Sequence, residues 1–277
     1  MSEALDIPDP LWRDAVAALD AGDVTRLRAL LDEHPALARD RLDAFEGYFA
    51  RPYLLWFVAE NPIRNRGLPP NIVEVTRVLL GAAERAGTLA AQVGGALGLV
   101  ASGCVPREQG VQLALIDVLA GAATPADLDG AMEAALPHRE LGAAERLLER
   151  GATLTPAAAA STGRMDDLDR LAPAADRAER HKALMCAAVN AQPEAIRRLA
   201  ALGVDLDAYG APGYHAHTTA LHQAVNFGGL ATVKALVEAG ARLDARDRIH
   251  GGTPLGWARH LGHRDVIDYL TLYTHRI

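Results

Sequence analysis

Two stretches near the C-terminal end of this sequence carry one pattern, 34 positions apart. The first runs Thr219-Ala220-Leu221-His222-Gln223-Ala224-Val225, continues through Gly228, Val233 and Leu236-Val237, and closes on Gly240-Ala241. The second begins at Thr253-Pro254-Leu255 and goes on through Ala258, Gly262, Ile267 and Leu270. A fixed period constrains the fold more than any composition does, because a unit this short cannot bury its own apolar face and must stack on copies of itself. The spelling predicts two helices per copy. Thr219 and Thr253 suit the N-cap, and Pro254 suits the first helical position, where no N–H is needed. The alanines let two helices lie close, the middle glycine turns the chain, and Gly240 suits a left-handed cap.

This pattern resembles the ankyrin repeat, which begins T-P-L-H-x-A-A and ends L-L-x-x-G-A. Sliding the register backwards finds weaker copies. They fall at Ala187-Ala188 with Ile196, Leu199 and Gly203, at Gly163 with Leu168 and Leu171, and at Leu147-Leu148 with Gly151-Ala152. Further back come Ile116 with Leu119, then Leu79-Leu80, then Ala18, Gly22, Leu27 and Leu30-Leu31. The resemblance implies an all-α ankyrin-repeat solenoid of about eight helix pairs, one domain over 1–277 with its clearest repeats at 219–251 and 253–277. Taking Leu30, Leu79, Leu119, Leu147, Leu171, Leu199, Leu236 and Leu270 as markers, the intervals are long at both ends and short in the middle. A regular array would repeat about every 33 residues. The spacing therefore predicts long β-turn fingers near both ends, at roughly 35–51, 204–218 and 241–252, and short or missing fingers between. Two inserts, 61–71 and 103–110, fall between the helices of a pair, at the end opposite the fingers. Pro62, Pro69 and Pro70 forbid a continuous helix through the first. Glu60-Asn61-Pro62-Ile63-Arg64, Gly103 to Gly110 and Pro212 to His217 also resemble a group of bacterial ankyrin-repeat proteins. That likeness implies a fold and no chemistry.

Composition narrows the function classes. The net charge of −7 offers no basic field to nucleic acid or anionic lipid. No run approaches the length of a transmembrane helix, Leu89 to Ala101 being the nearest, and the N-terminus lacks the basic and apolar regions of a signal peptide. Cys104 and Cys186 match no metal or redox spacing. These features predict a cytoplasmic monomer with reduced thiols and no cofactor. No H-E-x-x-H, G-x-S-x-G or P-loop is present, and Gly94-Gly95-Ala96-Leu97-Gly98 is too compact for a dinucleotide fingerprint.

Candidate contact residues gather where the long fingers return. No aromatic residue occurs between Phe57 and Tyr209, and seven of the 10 histidines follow residue 214. His215 and His217, two apart in an extended finger, would face one way, with His250 in the next finger and Trp257 and Tyr214 nearby. Tyr209 and Tyr214, among glycines and a proline, are expected to be displayed. His222 is expected to brace Thr219, and His260, His263 and His275 to be solvated residues of the last repeat. Tyr48 and Phe49, with Phe45, form a second group in the first long finger. Five repeats separate the groups, about 50 Å at about 10 Å per repeat. Arg64 and Arg107, with Arg66 and Glu108, form a third on the insert rim, where converging guanidiniums could clamp an anion. The expected function is a protein- or peptide-binding module rather than an enzyme, with no metal. The competing reading is a small-molecule site or enzyme built on the histidines or on the two arginines, which a closed, concave pocket lined by two of these groups would favour and an open, flat surface would sink.

Overall fold

Every regular element is a helix among residues 6–227 and 229–274, the residues that the computed structural model describes. An isolated antiparallel bridge joins Tyr209 and Thr219. The chain divides into two units, Met1–Thr153 and Leu154–Ile277.

In the first unit, α1 (Pro10–Asp20) and α2 (Val24–Glu33) form an antiparallel pair, followed by the short α3 (Ala36–Arg39). Asp9 caps α1 through the N–H groups of Leu11 and Trp12, with Pro10 at the first helical position, and Asp23 caps α2 through Arg26 N. Next come 3-10 helices at Gly47–Phe49 and Leu54–Ala59, then α4 (Ile72–Arg85) and α5 (Leu89–Ala101). The insert after α5 carries α6 (Cys104–Glu108), and α7 (Gln112–Ala120), α8 (Pro125–Ala135) and α9 (Leu141–Glu149) complete the unit, with a 3-10 turn at Leu136–His138. Two layers result. The row α1, Leu54–Ala59, α5 and α8 packs neighbour on neighbour, and behind it runs α2, α4, α7 and α9. Buried leucines fill the space between: Leu30, Leu79, Leu119 and Leu147 are all in the core.

The second unit repeats that arrangement. Its front row is α10 (Pro156–Thr162), α12 (Arg177–Val189), α14 (Ala220–Asn226) and α16 (Pro254–Leu261). Its back row is α11 (Met165–Leu171), α13 (Pro193–Ala201), α15 (Leu230–Glu238) and α17 (Arg264–Thr274). Alanine explains the close stacking of α10 on α12. Ala157 to Ala160 and Ala183, Ala187 and Ala188 are all buried, and a methyl group keeps two helix axes near without leaving a void. Thr253 caps α16 through Gly256 N, Pro254 opens the helix, and Gly240 takes a left-handed φ of 99° after α15. No helix among the described residues is long and apolar enough to cross a membrane.

Candidate functional site

The two inserts of the first unit do meet. Leu68 N donates to Gln109 Oε1 at 2.8 Å, which joins segment 61–71 to segment 103–110. Arg64 and Arg107 are nevertheless bound by different carboxylates and share none among the described residues. Arg64, its side chain only 6% exposed, pairs with Asp20 of α1 and with Glu60, and donates to the Phe57 carbonyl at 2.8 Å. Glu60 is 1% exposed. Its Oε1 accepts the backbone N–H groups of Arg64, Asn65 and Arg66, and its Oε2 lies 3.0 Å from Arg64 Nη1. Arg107 instead reaches Glu140, at 3.1 Å, and Glu108, at 3.4 Å. The expected anion clamp is therefore replaced by two separate ion-paired centres.

Between them lies a cleft of about 720 Å³, onto which the C-terminal turns of α5 and α8 open. That volume is within the range of small-molecule sites. Gly95, Gly98, Leu99, Ile63 and the Trp56 indole give it an apolar floor, and Tyr48, Asn61, Ser102, Cys104, Arg107, His138 and Glu140 give it polar walls. Local sequence could not place Cys104 near a histidine; the stacking of α8 beside α5 brings His138 to the same cleft. Glu140 is buried and is held by Arg107 and by Gln112 Nε2, at 3.3 Å. His138 Nδ1 donates to the Ala134 carbonyl at 2.8 Å, which leaves its Nε2 as the lone-pair nitrogen when the ring is neutral. Tyr48, 67% exposed, donates to Asn61 Oδ1 at 3.1 Å, whereas Phe49 is buried against Phe45, Trp56 and Phe57.

Gly95 sets the position of the indole. A Cβ there would overlap the Trp56 ring, which is fixed by donation from Nε1 to the Gln92 carbonyl at 2.9 Å. Gly95→Ala is expected to cost about 1–3 kcal/mol through overpacking, outweighing the helix-propensity gain of about 1 kcal/mol. Urea denaturation followed by tryptophan fluorescence reads both the loss and the displaced ring.

In the second unit, loops 204–218 and 241–252 are stitched to one another. Tyr209 Oη donates to the Arg246 carbonyl at 2.6 Å, Arg248 N to the His217 carbonyl at 2.8 Å, and Arg242 N to Asp207 Oδ1 at 2.8 Å. The Arg248 guanidinium lies 3.9 Å from the Tyr209 ring centroid. Gly210 is required where the first loop folds on itself, since a Cβ would strike the Tyr214 carbonyl. Tyr214 is only 7% exposed, with Lys182 Nζ 5.2 Å from its ring. It is thus packed against α12 rather than displayed.

Asp247 organises the second loop. Its buried carboxylate accepts the N–H groups of Ile249, His250 and Gly252 and the Trp257 indole N–H, at 2.7–3.0 Å. Burial alone would push its carboxyl up, but these donors, His250 N and the Trp257 indole foremost, outweigh burial and hold it well below the usual carboxylate range. Trp257 is further contacted by His222, edge-on at 5.3 Å, and by His217 at 6.4 Å. His222 is buried; its Nε2 donates to the Gly252 carbonyl at 3.1 Å and its Nδ1 accepts from the Thr219 hydroxyl at 2.9 Å. Burial pushes its pKa down, so the neutral ring is the one that braces the loop. His215 has a left-handed φ of 55° and is half-buried, and His250 is exposed. Ile249, unmarked by any sequence signal, is 62% exposed beside it. His260 is exposed and His263 half-buried at the start of the last helix pair's turn; His275 and Gly228 lie outside the described residues.

Among the described residues no group of three or more His, Cys, Asp or Glu side chains is placed to hold a metal ion. No curated protein matches the sequence. The match that does emerge is to a repeat family: residues 131–247 fit the family model of ankyrin repeats in three copies.

Proposed function

We propose that the chain is a protein- or peptide-binding module of ankyrin type, and that the Leu154–Ile277 unit makes contact through loops 204–218 and 241–252. The four helix pairs of each unit are read as ankyrin repeats, with segments 35–51, 204–218 and 241–252 as their long fingers. Ankyrin repeats are in general protein-interaction modules, and three of them fall within 131–247. The observation that carries the assignment to these loops is the exposure of Ile249 on a framed loop. An isoleucine at 62% exposure is held there by the four donors that converge on Asp247. A preordered apolar side chain contributes burial on contact without a further ordering cost. Its chain neighbours Arg248 and His250 are exposed, and Arg248 N ties the loop to the half-buried His217, so polar groups flank the apolar side chain.

The test is affinity capture from native cell extract with wild type, Ile249→Asp and His250→Ala side by side. A partner captured by wild type should bind Ile249→Asp about 30-fold more weakly, the scale of a central hot spot, with an unchanged thermal melt. Identical capture by wild type and Ile249→Asp would remove these loops from the contact surface.

A further inference from the structure

We propose that the cleft of the Met1–Thr153 unit is a binding site for a small organic cation: an ammonium group carried on an apolar body. The inference is independent of the loop surface in the other unit.

Charge decides the sign of the ligand. Glu60 and Glu140 line the cleft with Arg107 as the one lining cation among the described residues; Arg64, outside the lining, compensates Glu60 but is shared with Asp20, and Arg107 already bonds to Glu140 and Glu108. An anion entering here would have to compete with two carboxylates for one guanidinium. The C-terminal turns of α5 and α8 add the negative ends of two helix dipoles, which favour a cation. Hydrogen-bonding capacity points the same way. Glu60 Oε2, in a side chain 99% enclosed, accepts no hydrogen bond among the described residues, although Arg64 lies within ion-pair distance. His138 turns its Nδ1 to a carbonyl, and the Tyr48 hydroxyl spends its proton on Asn61. What remains at Nε2 of the one and at the oxygen of the other is acceptor capacity, suited to a donor such as N–H.

The floor suits the apolar remainder of such a ligand. Gly98 presents no side chain, and a Cβ built on it meets nothing within 4 Å, so the surface of α5 there is open to the cleft. The Trp56 ring flanks that floor and already draws one cation, with the Arg41 guanidinium 5.4 Å from its centroid. Aromatic surface, carboxylates and helix C-termini in one concavity recognise an ammonium by the same physics that would repel a carboxylate.

Three probes of one shape separate the alternatives: benzylammonium, benzyl alcohol and benzoate, titrated into the full chain near neutral pH by calorimetry. Benzylammonium should bind about tenfold more tightly than either of the others, the worth of one charge-assisted contact. Gly98→Leu fills the floor while improving helix propensity, and should weaken benzylammonium by at least about tenfold, with Gly98→Ala intermediate and both melts at or above wild type. Lysine blocked at both backbone ends distinguishes the source: binding comparable to benzylammonium assigns the ammonium to a lysine side chain presented by a peptide, and weaker binding assigns it to a free amine. Equal or tighter binding of benzoate or benzyl alcohol, no binding of any probe, or unchanged binding by a folded Gly98→Leu would overturn the proposal.

Discussion

Arg64→Met is expected to destabilise the Met1–Thr153 unit by about 3–5 kcal/mol, the usual consequence of removing one member of a buried ion pair. The size follows from enclosure. Glu60 is buried and its ring of three backbone N–H donors fixes the start of the 61–71 insert, while Arg64 ties that turn to Asp20 of α1 and to the Phe57 carbonyl. Without the guanidinium, Glu60 is left as a buried carboxylate without a counter-ion, and Asp20 loses its main partner. Urea denaturation of the single variants and of Arg64→Met/Glu60→Gln gives a cycle in which the double variant recovers part of the loss, because the uncompensated charge is gone. Arg242→Met is the control: its pair with Asp244 is fully solvated, and stability should not change measurably. Equal effects of Arg64→Met and Arg242→Met would refute the reading of the insert as ion-locked.

The second large effect is expected at Asp247→Asn, about 2–4 kcal/mol, because four donors converge on a carboxylate and an amide can satisfy only part of them while turning an NH₂ toward the rest. Its pH dependence has a definite sign. The folded carboxyl titrates below the unfolded one, so its contribution is complete above the unfolded value, near pH 4, and is lost as pH falls through the folded value. The stability gap between wild type and Asp247→Asn should therefore be constant from neutral pH down to about 5 and shrink on further acidification. A gap that widens in acid, or that is absent at neutral pH, would show that the carboxylate does not hold the loop.

The helices were far easier to read in the sequence than the sites. Thr253-Pro254 and Gly240 are local signals, each acting within one turn of chain, and the structure uses them as caps. Seven of the eight marker leucines, all but the half-buried Leu171, are in the core because a leucine at helical spacing has few other uses in a two-layer stack. The cleft had no such signal. Arg64 with Asp20, Arg107 with Glu140, and Cys104 and His138 on one cleft are separated along the chain by at least one helix pair, so only the stacking of successive pairs juxtaposes them. Tyr214 misled for a related reason. Its glycine and proline neighbours marked a loop correctly, but loop membership does not prevent a ring from folding back onto α12. Ile249 was invisible because exposure, unlike burial, leaves no periodicity.

The donation from His222 to the Gly252 carbonyl joins the start of α14 to the loop that precedes α16, and Asp247 gathers the rest of that loop onto Trp257. Shape and identity are thereby assigned to different atoms. Within this network Ile249 and His250 contribute their backbone N–H groups, so their side chains are alphabet rather than scaffold. A lineage, or an engineer, could rewrite the word displayed at those two positions and leave the grammar of the loop intact, whereas the same freedom at Asp247, Trp257 or His222 would erase the line on which it is written.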